Sequence, residues 1–130
     1  LNTYQRHGIA KNILLMLEEI SEFAFDNTLQ DCINKALRLL ERKTDAKLLD
    51  AGCADGEITL RVARTIGTNS VYGTDIDGRA IKYAGKRGII AYKVDLNHAL
   101  PFKDDYFDVV FSNQVIEHLD YPDNFVKRNF

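Results

Sequence analysis

One predicted turn of the sequence contains glycines and aspartates, residue types that could together bind a ligand. The stretch LLDAGCADGEITLRVA, residues 48–63, sets Asp50 and Asp55 beside Gly52 and Gly56. Such glycines permit a tight turn and let backbone amides approach a ligand, and the helix predicted after them adds positive potential. Carboxylates repel a pyrophosphate but attract an ammonium or sulfonium group. The turn by itself therefore predicts either a ligand that is cationic near this loop or a purely architectural connection from strand to helix.

The turn departs from the dinucleotide-binding fingerprint G-x-G-x-x-G. With Gly52 as the first glycine, the second and third positions hold Ala54 and Glu57. The middle glycine is the one that admits a pyrophosphate, so its replacement counts against NAD and FAD.

Short apolar runs alternate with helical patterns around and after this turn, and they predict an α/β fold. Two helices, over residues 7–20 and 29–40 with Asp26 or Asn27 as a cap between them, precede the first strand. Strands are predicted over KLLDA (47–51), SVYGTDI (70–76), GIIAYKVDL (88–96) and YFDVVFSN (106–113), and helices over GEITLRVARTI (56–66) and GRAIKYAGKR (78–87). Residues 114–130 read as two short helical pieces broken at Pro122. This order predicts a parallel sheet with right-handed crossovers.

The chain ends soon after the fourth predicted strand, which leaves that strand as an apolar edge. Such an edge invites pairing with another chain. We therefore expect either a fragment of a longer fold or an edge that a second copy or a partner subunit covers.

Composition bounds the class of protein. The formal net charge is −2 with a pI near 5.9, and 45% of the residues are hydrophobic. This balance gives no electrostatic support for a nucleic-acid or membrane partner. Cys32 and Cys53 are far apart and show no metal-binding spacing, and the chain has neither a signal-peptide pattern nor an apolar run long enough to span a bilayer. We expect a soluble, cytoplasmic protein.

Several motifs in order resemble class I S-adenosylmethionine-dependent methyltransferases. LLDAGCADGEIT is similar to the D-x-G-C-G-x-G motif of that family, and VYGTDID is similar to its second strand. The third match, YKVDLNHALPFKDDYFDVVFSNQVIEHLDYPDNF, carries an acid after the third strand, a Leu-Pro-Phe turn and an E-H-L helix. The resemblance covers about residues 47–125. It implies a Rossmann-like sheet of order 3-2-1-4 with helices on both faces, from which the C-terminal strands of the full fold are absent.

The resemblance also implies a division of labour. Residues 1–44 would form an N-terminal helical segment on the substrate side, and residues 45–130 the cofactor-binding portion, within one compact domain overall. Tyr4, Arg6 and His7 would close over the cofactor, although an exposed helix start explains them equally well.

Two groups of residues follow from the resemblance for the methionine and ribose parts of the cofactor. Gly52, Cys53 and Ala54, in the turn that Gly56 closes, would lie under the methionine part. Asp50 would orient the turn and the ammonium group. Asp75 would hold the ribose hydroxyls, and it follows Gly56 by 19 residues, close to the spacing of about 20 at which an acid meets ribose in nucleotide sites.

The adenine and the acceptor would contact later residues. Ile76 would pack on the adenine face, Asp95 would accept from the adenine amino group, and the Leu96 amide would bind a ring nitrogen. The corresponding alternatives are core packing for Ile76 and a solvated loop for Asp95, while Asp77 is predicted to cap a helix. The wall between cofactor and acceptor would consist of Asn113, Gln114, Glu117 and His118.

His118 is the candidate general base toward an acceptor hydroxyl, with helix packing as its alternative. Some members of the family bind a metal through Glu-x-x-Glu-His, but this sequence has Gln114 at the first position, so we predict no metal. The function indicated is methyl transfer from S-adenosylmethionine to an unidentified small-molecule acceptor. The alternatives are a regulatory module that a partner completes and, less well supported, a Rossmann oxidoreductase.

Overall fold

The computed structural model describes residues 24–123 and 125. The chain divides into two compact units, Leu1–Leu40 and Glu41–Phe130. In the first unit, helix α1 covers residues 24–38, and the helix predicted over residues 7–20 lies outside the described residues. The predicted cap at Asp26 or Asn27 is wrong, because both residues lie inside α1. Polar side chains on an exposed helix face do not end a helix when the backbone bonding continues through them.

The second unit is an α/β sheet whose elements follow the predicted order. They are β1 (Lys47–Ala51), α2 (Glu57–Ile66), β2 (Ser70–Asp75), α3 (Gly78–Lys86), β3 (Ile90–Lys93), β4 (Val109–Phe111) and a 3₁₀ turn (Ile116–His118). All strand pairs are parallel, and the sheet order is β3-β2-β1-β4. The predicted strand order is thereby confirmed.

Strand β1 is the centre of the sheet and of the core. Leu48, Leu49 and Ala51 are at most 1% exposed, and the strand pairs with β2 on one side and β4 on the other. A parallel strand that is covered on both faces reads as a continuous apolar run, which is why KLLDA was predictable. Helix α2 adds Val62, Ala63 and Ile66 to this core.

Strands β3 and β4 are shorter than the sequence predicted. Gly88, at φ 89°, lies in the turn that follows α3, and β3 begins only at Ile90. Tyr106 and Phe107 belong to a loop instead of β4, because their rings pack against one another and on Tyr72 of β2.

The crossover between β3 and β4 is a loop that covers the sheet with aromatic rings instead of a helix. Phe102 packs edge-to-face on Tyr72 and Tyr92, at centroid separations of 6.4 and 5.5 Å. Edge-to-face pairs of this kind stabilise by about 0.5–1.5 kcal/mol beyond the area they bury. Asp108 then anchors the loop, since its carboxylate accepts from the backbone N–H of Lys47 at 2.9 Å and pairs with Lys43.

No helix among residues 24–123 is both long and apolar enough to cross a membrane.

Candidate functional site

The turn after β1 is held in a conformation that glycine favours. Gly52, Ala54 and Gly56 have φ of 88°, 47° and 85°. The backbone N–H groups of Gly52 and Cys53 both donate to the carbonyl of Thr74, at 2.7 and 2.9 Å. The end of β1 is thus fastened to the end of β2.

Position 52 also has no room for a side chain. A Cβ at this position would lie 2.1 Å from Cγ2 of Val115, far inside van der Waals contact. The absence of a side chain at Gly52 is therefore what lets the segment after β4 approach the turn.

Asp75 ends β2 and joins the turn to the helix that follows. Its Oδ2 accepts from the backbone N–H of Ala54 and its Oδ1 from that of Asp77, both at 2.9 Å. Each carboxylate oxygen has two lone pairs, so each retains one for a ligand hydroxyl. Asp77 caps α3 as predicted, because its side chain accepts from the N–H of Arg79 at 2.8 Å.

Asp50 lies beneath the turn and is only 3% exposed. The hydroxyl of Thr59, in α2, donates to its Oδ2 at 2.5 Å. Burial raises the pKa of Asp50 to about 6, the negative charge of Asp75 adds to the rise, and the Thr59 hydrogen bond opposes it. Asp50 therefore fixes β1 to α2 and adds negative potential under the turn when it ionises.

Because of this raised pKa, we expect Asp50 to make stability depend on pH. The pKa of the Asp50 carboxyl is about 6 in the folded state, whereas the ordinary pKa of an aspartate, which applies in the unfolded state, is 3.8. The folded state thus binds more protons between these values, and the contribution of Asp50 falls as pH rises from about 4 to 6. Two pKa units correspond to about 3 kcal/mol. Urea unfolding at pH 4, 5, 6 and 7 measures the free energy of unfolding. The value for Asp50→Asn should rise relative to that of the wild type across this range. Parallel pH profiles for the two proteins would contradict the assignment.

Cys53 is a packing residue. Its thiol is buried, and burial together with the charges of Asp50 and Asp75 raises its pKa to about 12. A Cβ on Gly73 would lie 2.7 Å from its Sγ, which indicates how closely the thiol packs on β2. A thiol that stays protonated at neutral pH is a poor nucleophile.

An open cavity of about 210 Å³ lies at the carboxyl ends of the strands. Ligands of open parallel sheets bind at this edge. The cavity is lined by Gly52, Asp75, Ile76, Val94, Asp95, Leu96, Asn97, Gln114, Val115, His118 and Leu119. Ile76 is 63% exposed although it is apolar, so it offers a bare hydrophobic surface beside a carboxylate.

Residues from two segments of the cavity lining pack in one apolar cluster. Ala51, Leu96 and Phe125 are buried, and Val115 and Leu119 pack against them. Gln114 precedes Val115 with φ 55°, a conformation that is uncommon outside glycine.

The cavity brings together only part of the predicted site. Of the predicted cofactor residues, the lining includes Gly52, Asp75, Ile76, Asp95 and Leu96, and from the acceptor wall it includes Gln114 and His118. Six other predicted residues lie outside the lining: Asp50, Cys53, Ala54, Gly56, Asn113 and Glu117. The predictions for Tyr4, Arg6 and His7 fall outside the described residues. Val94, Asn97 and Val115 line the cavity without having been predicted, since no local pattern distinguishes them from ordinary core and loop residues. Leu119 also lines it and belongs to the E-H-L motif, to which no role was assigned at that residue.

The described part of the chain contains no cluster of side chains that could bind a metal ion. Among those residues, no three His, Cys, Asp or Glu side chains lie close enough together to hold an ion.

A parallel sheet of order 3-2-1-4 with a cavity over the ends of β1, β2 and β3 defines a Rossmann-like α/β protein. More narrowly, the chain belongs to the S-adenosylmethionine-dependent methyltransferases, because a family model described as "Methyltransferase domain" matches residues 49–129. The resemblance seen in the sequence is confirmed.

Three individual proteins illustrate this similarity. The mitochondrial ubiquinone biosynthesis O-methyltransferase of Saccharomyces cerevisiae is 24% identical over 115 residues, which are 85% of this chain and 37% of that protein. An S-adenosylmethionine-dependent methyltransferase structure from Mesorhizobium loti matches with a TM-score of 0.63 and 22% identity, covering 72% of this chain and 45% of the other.

The third is a structure of the complex between the Trm112 methyltransferase activator of Haloferax volcanii and a protein described as a methyltransferase. It matches with a TM-score of 0.70 and 18% identity, covering 83% of this chain and 49% of the other. The present chain thus spans at most about half the length of these three proteins.

Proposed function

We propose that this chain binds S-adenosylmethionine at the carboxyl ends of β1, β2 and β3, and that the protein transfers the methyl group to a small-molecule acceptor. The observation that carries the proposal is the position of Asp75. Its carboxylate is at the cavity wall, is fixed by two backbone amides, and keeps a lone pair on each oxygen for vicinal hydroxyls.

The adenosine half of the cofactor fits the cavity. Ile76 supplies an exposed apolar surface for the adenine ring, Asp95 an acceptor for the amino group, and the Leu96 backbone amide a donor to a ring nitrogen. A volume of about 210 Å³ is below the roughly 300–1,000 Å³ of pockets that enclose a whole drug-sized ligand. This size suits a nucleoside with the remaining part of the ligand outside the cavity.

The methionine half would then lie along the turn, over Gly52, Cys53 and Ala54, with Gly56 closing the turn and Asn113 near the reacting end. Asp50 and Asp75 provide negative potential for an ammonium and a sulfonium group. Asp50 acts from beneath, since it is buried and bonded to Thr59.

When bound, the cofactor supplies an electrophilic methyl group on a sulfonium that is a good leaving group. The residues of this chain would align the two reactants and exclude water. His118, at the cavity wall and exposed, is the proposed base for an acceptor hydroxyl, a choice supported by the O-methyltransferase name of the yeast relative.

Calorimetric titration of the 130-residue chain tests cofactor binding. We expect S-adenosylmethionine and S-adenosylhomocysteine to bind with micromolar affinity and NAD not to bind, because the turn lacks the middle glycine of the dinucleotide fingerprint. Binding of NAD, or no binding of either adenosyl ligand by a chain that circular dichroism finds folded, would overturn the proposal.

A second candidate is a module that needs a partner subunit or a second copy for methyl transfer. Strand β4 favours it: β4 is the last strand of the described sheet and pairs only with β1 there. The Haloferax volcanii structure, in which an activator is complexed with the other protein, gives further support. Transfer of a radiolabelled methyl group that appears only when a second protein is added would favour this candidate, whereas transfer by the monomeric chain would exclude it.

A further inference from the structure

We propose that Asn97 is a positioning residue that clamps the two walls of the cavity together and thereby sets the affinity for the nucleoside half of the ligand. The inference rests on the proposed function, because it assigns a role in binding that ligand.

The clamp is one hydrogen bond between distant parts of the chain. The side-chain Oδ1 of Asn97 accepts from the backbone N–H of Asp120 at 2.9 Å, across 23 residues of sequence. Asn97 lines the cavity in the segment after β3, and His118 and Leu119 line it in the segment after β4, immediately before Asp120. The bond therefore joins the segments after β3 and β4, which we call the two walls of the cavity.

The Asn97 side of the clamp is held rigidly. The N–H of Asn97 donates to Oδ1 of Asp95 at 2.9 Å, and the N–H of His98 donates to the carbonyl of Asp95 at 3.0 Å, which closes a tight turn. One residue earlier, the N–H of Val94 donates to the carbonyl of Asp75 at 2.9 Å. The backbone that carries the Asn97 side chain is thus fixed relative to the end of β2, where Asp75 lies.

The opposite wall depends on the clamp for its orientation. Below it, Val115 and Leu119 pack on the buried cluster around Leu96. Apolar contacts hold surfaces together but are not directional, whereas a hydrogen bond fixes both distance and angle. Without Asn97, the segment that carries Gln114 and His118 would keep its apolar support and lose the bond at the rim.

The consequence is a shift between a closed and a more open cavity. A ligand that binds the closed form binds more weakly in proportion to the fraction of protein that is closed. Loss of one such hydrogen bond predicts roughly three- to tenfold weaker binding. Because the clamp acts on the adenosine half, the loss should be equal for S-adenosylhomocysteine and for 5′-methylthioadenosine, which lacks the amino-acid part.

The test is calorimetric titration of both ligands into the wild-type chain, Asn97→Ala, Asn97→Asp and the matched control Asn69→Ala, whose asparagine is exposed and outside the cavity. We expect Asn97→Ala to lose affinity for both ligands by the same factor and Asn69→Ala to match the wild type. Asn97→Asp retains an acceptor oxygen at the same place, so it should restore 5′-methylthioadenosine binding to within about twofold of wild type.

Hydrogen exchange of the Asp120 amide provides a readout without ligand. It should be faster in Asn97→Ala than in the wild type and slow again in Asn97→Asp. Wild-type affinity or unchanged Asp120 exchange in a folded Asn97→Ala protein would overturn the clamp while leaving the proposed function intact. No binding by the folded wild-type chain would overturn the proposed function and the clamp together.

Discussion

Replacing Asp75 by alanine is expected to abolish S-adenosylhomocysteine binding, with a loss of affinity of about a hundredfold or more. Hydrogen bonds to a charged group contribute about 1.5–3 kcal/mol each, and in the proposed complex Asp75 would accept from two ribose hydroxyls. The same substitution also removes the acceptor for the backbone N–H groups of Ala54 and Asp77, so the turn keeps only its backbone bonds to Thr74 of β2. Calorimetric titration of the variant against the wild-type chain measures the loss.

Asp77→Ala is the matched control, because it removes a neighbouring carboxylate that is outside the cavity. It should lower the free energy of unfolding by about 1 kcal/mol through loss of the cap on α3 and should leave the affinity within about threefold. Asp75→Asn keeps the shape of the side chain and removes its charge. The amide retains one acceptor oxygen but has an NH₂ group in place of the other oxygen. Unchanged affinity in a folded Asp75→Ala chain would mean that the ligand binds elsewhere.

Gly52→Ala should be the most damaging change that adds a single carbon. The backbone at φ 88° costs an L residue roughly 1–2 kcal/mol, and overpacking against Val115 adds roughly 1–3 kcal/mol. Because Val115 lines the cavity, its displacement should also weaken S-adenosylhomocysteine binding more than tenfold. Urea unfolding and calorimetry on the same preparation would measure both effects.

Two further variants distinguish the causes. Gly85→Ala adds the same atom inside α3, where nothing lies within 4 Å of the new Cβ, and should be neutral or stabilising by up to about 1 kcal/mol. Val115→Ala combined with Gly52→Ala should relieve the steric part and leave the backbone strain, which a double-mutant cycle isolates. A Gly52→Ala chain as stable as the wild type would contradict the packing between the turn and the segment after β4.

The elements around the first turn were predictable because their patterns are local. KLLDA is a continuous apolar strand, SVYGTD reads as a strand, and Asp77 is placed to cap the helix that follows. The order of the sheet followed from the resemblance and not from any periodicity, since strands of similar composition could be arranged in other ways.

The remaining differences arise from tertiary contacts that a local pattern does not carry. YFDVVFSN looks like one strand of eight residues, but Tyr106 and Phe107 pack on Tyr72 and leave only Val109–Phe111 in the sheet. The role that we propose for Asn97 was unpredictable for the same reason, because it depends on a hydrogen bond to Asp120, 23 positions away in the sequence.

The central position of β1 has a consequence for synthesis on the ribosome. One neighbour, β2, follows it closely in sequence, but β4 does not, and the bond between Lys47 and Asp108 spans 61 residues. Contacts so distant in sequence form late and slow folding, because the intervening chain must first be ordered. A nascent chain therefore carries its central strand with one unpaired edge until Val109 has been translated and released from the exit tunnel, and during that interval the edge is open to aggregation or chaperone binding.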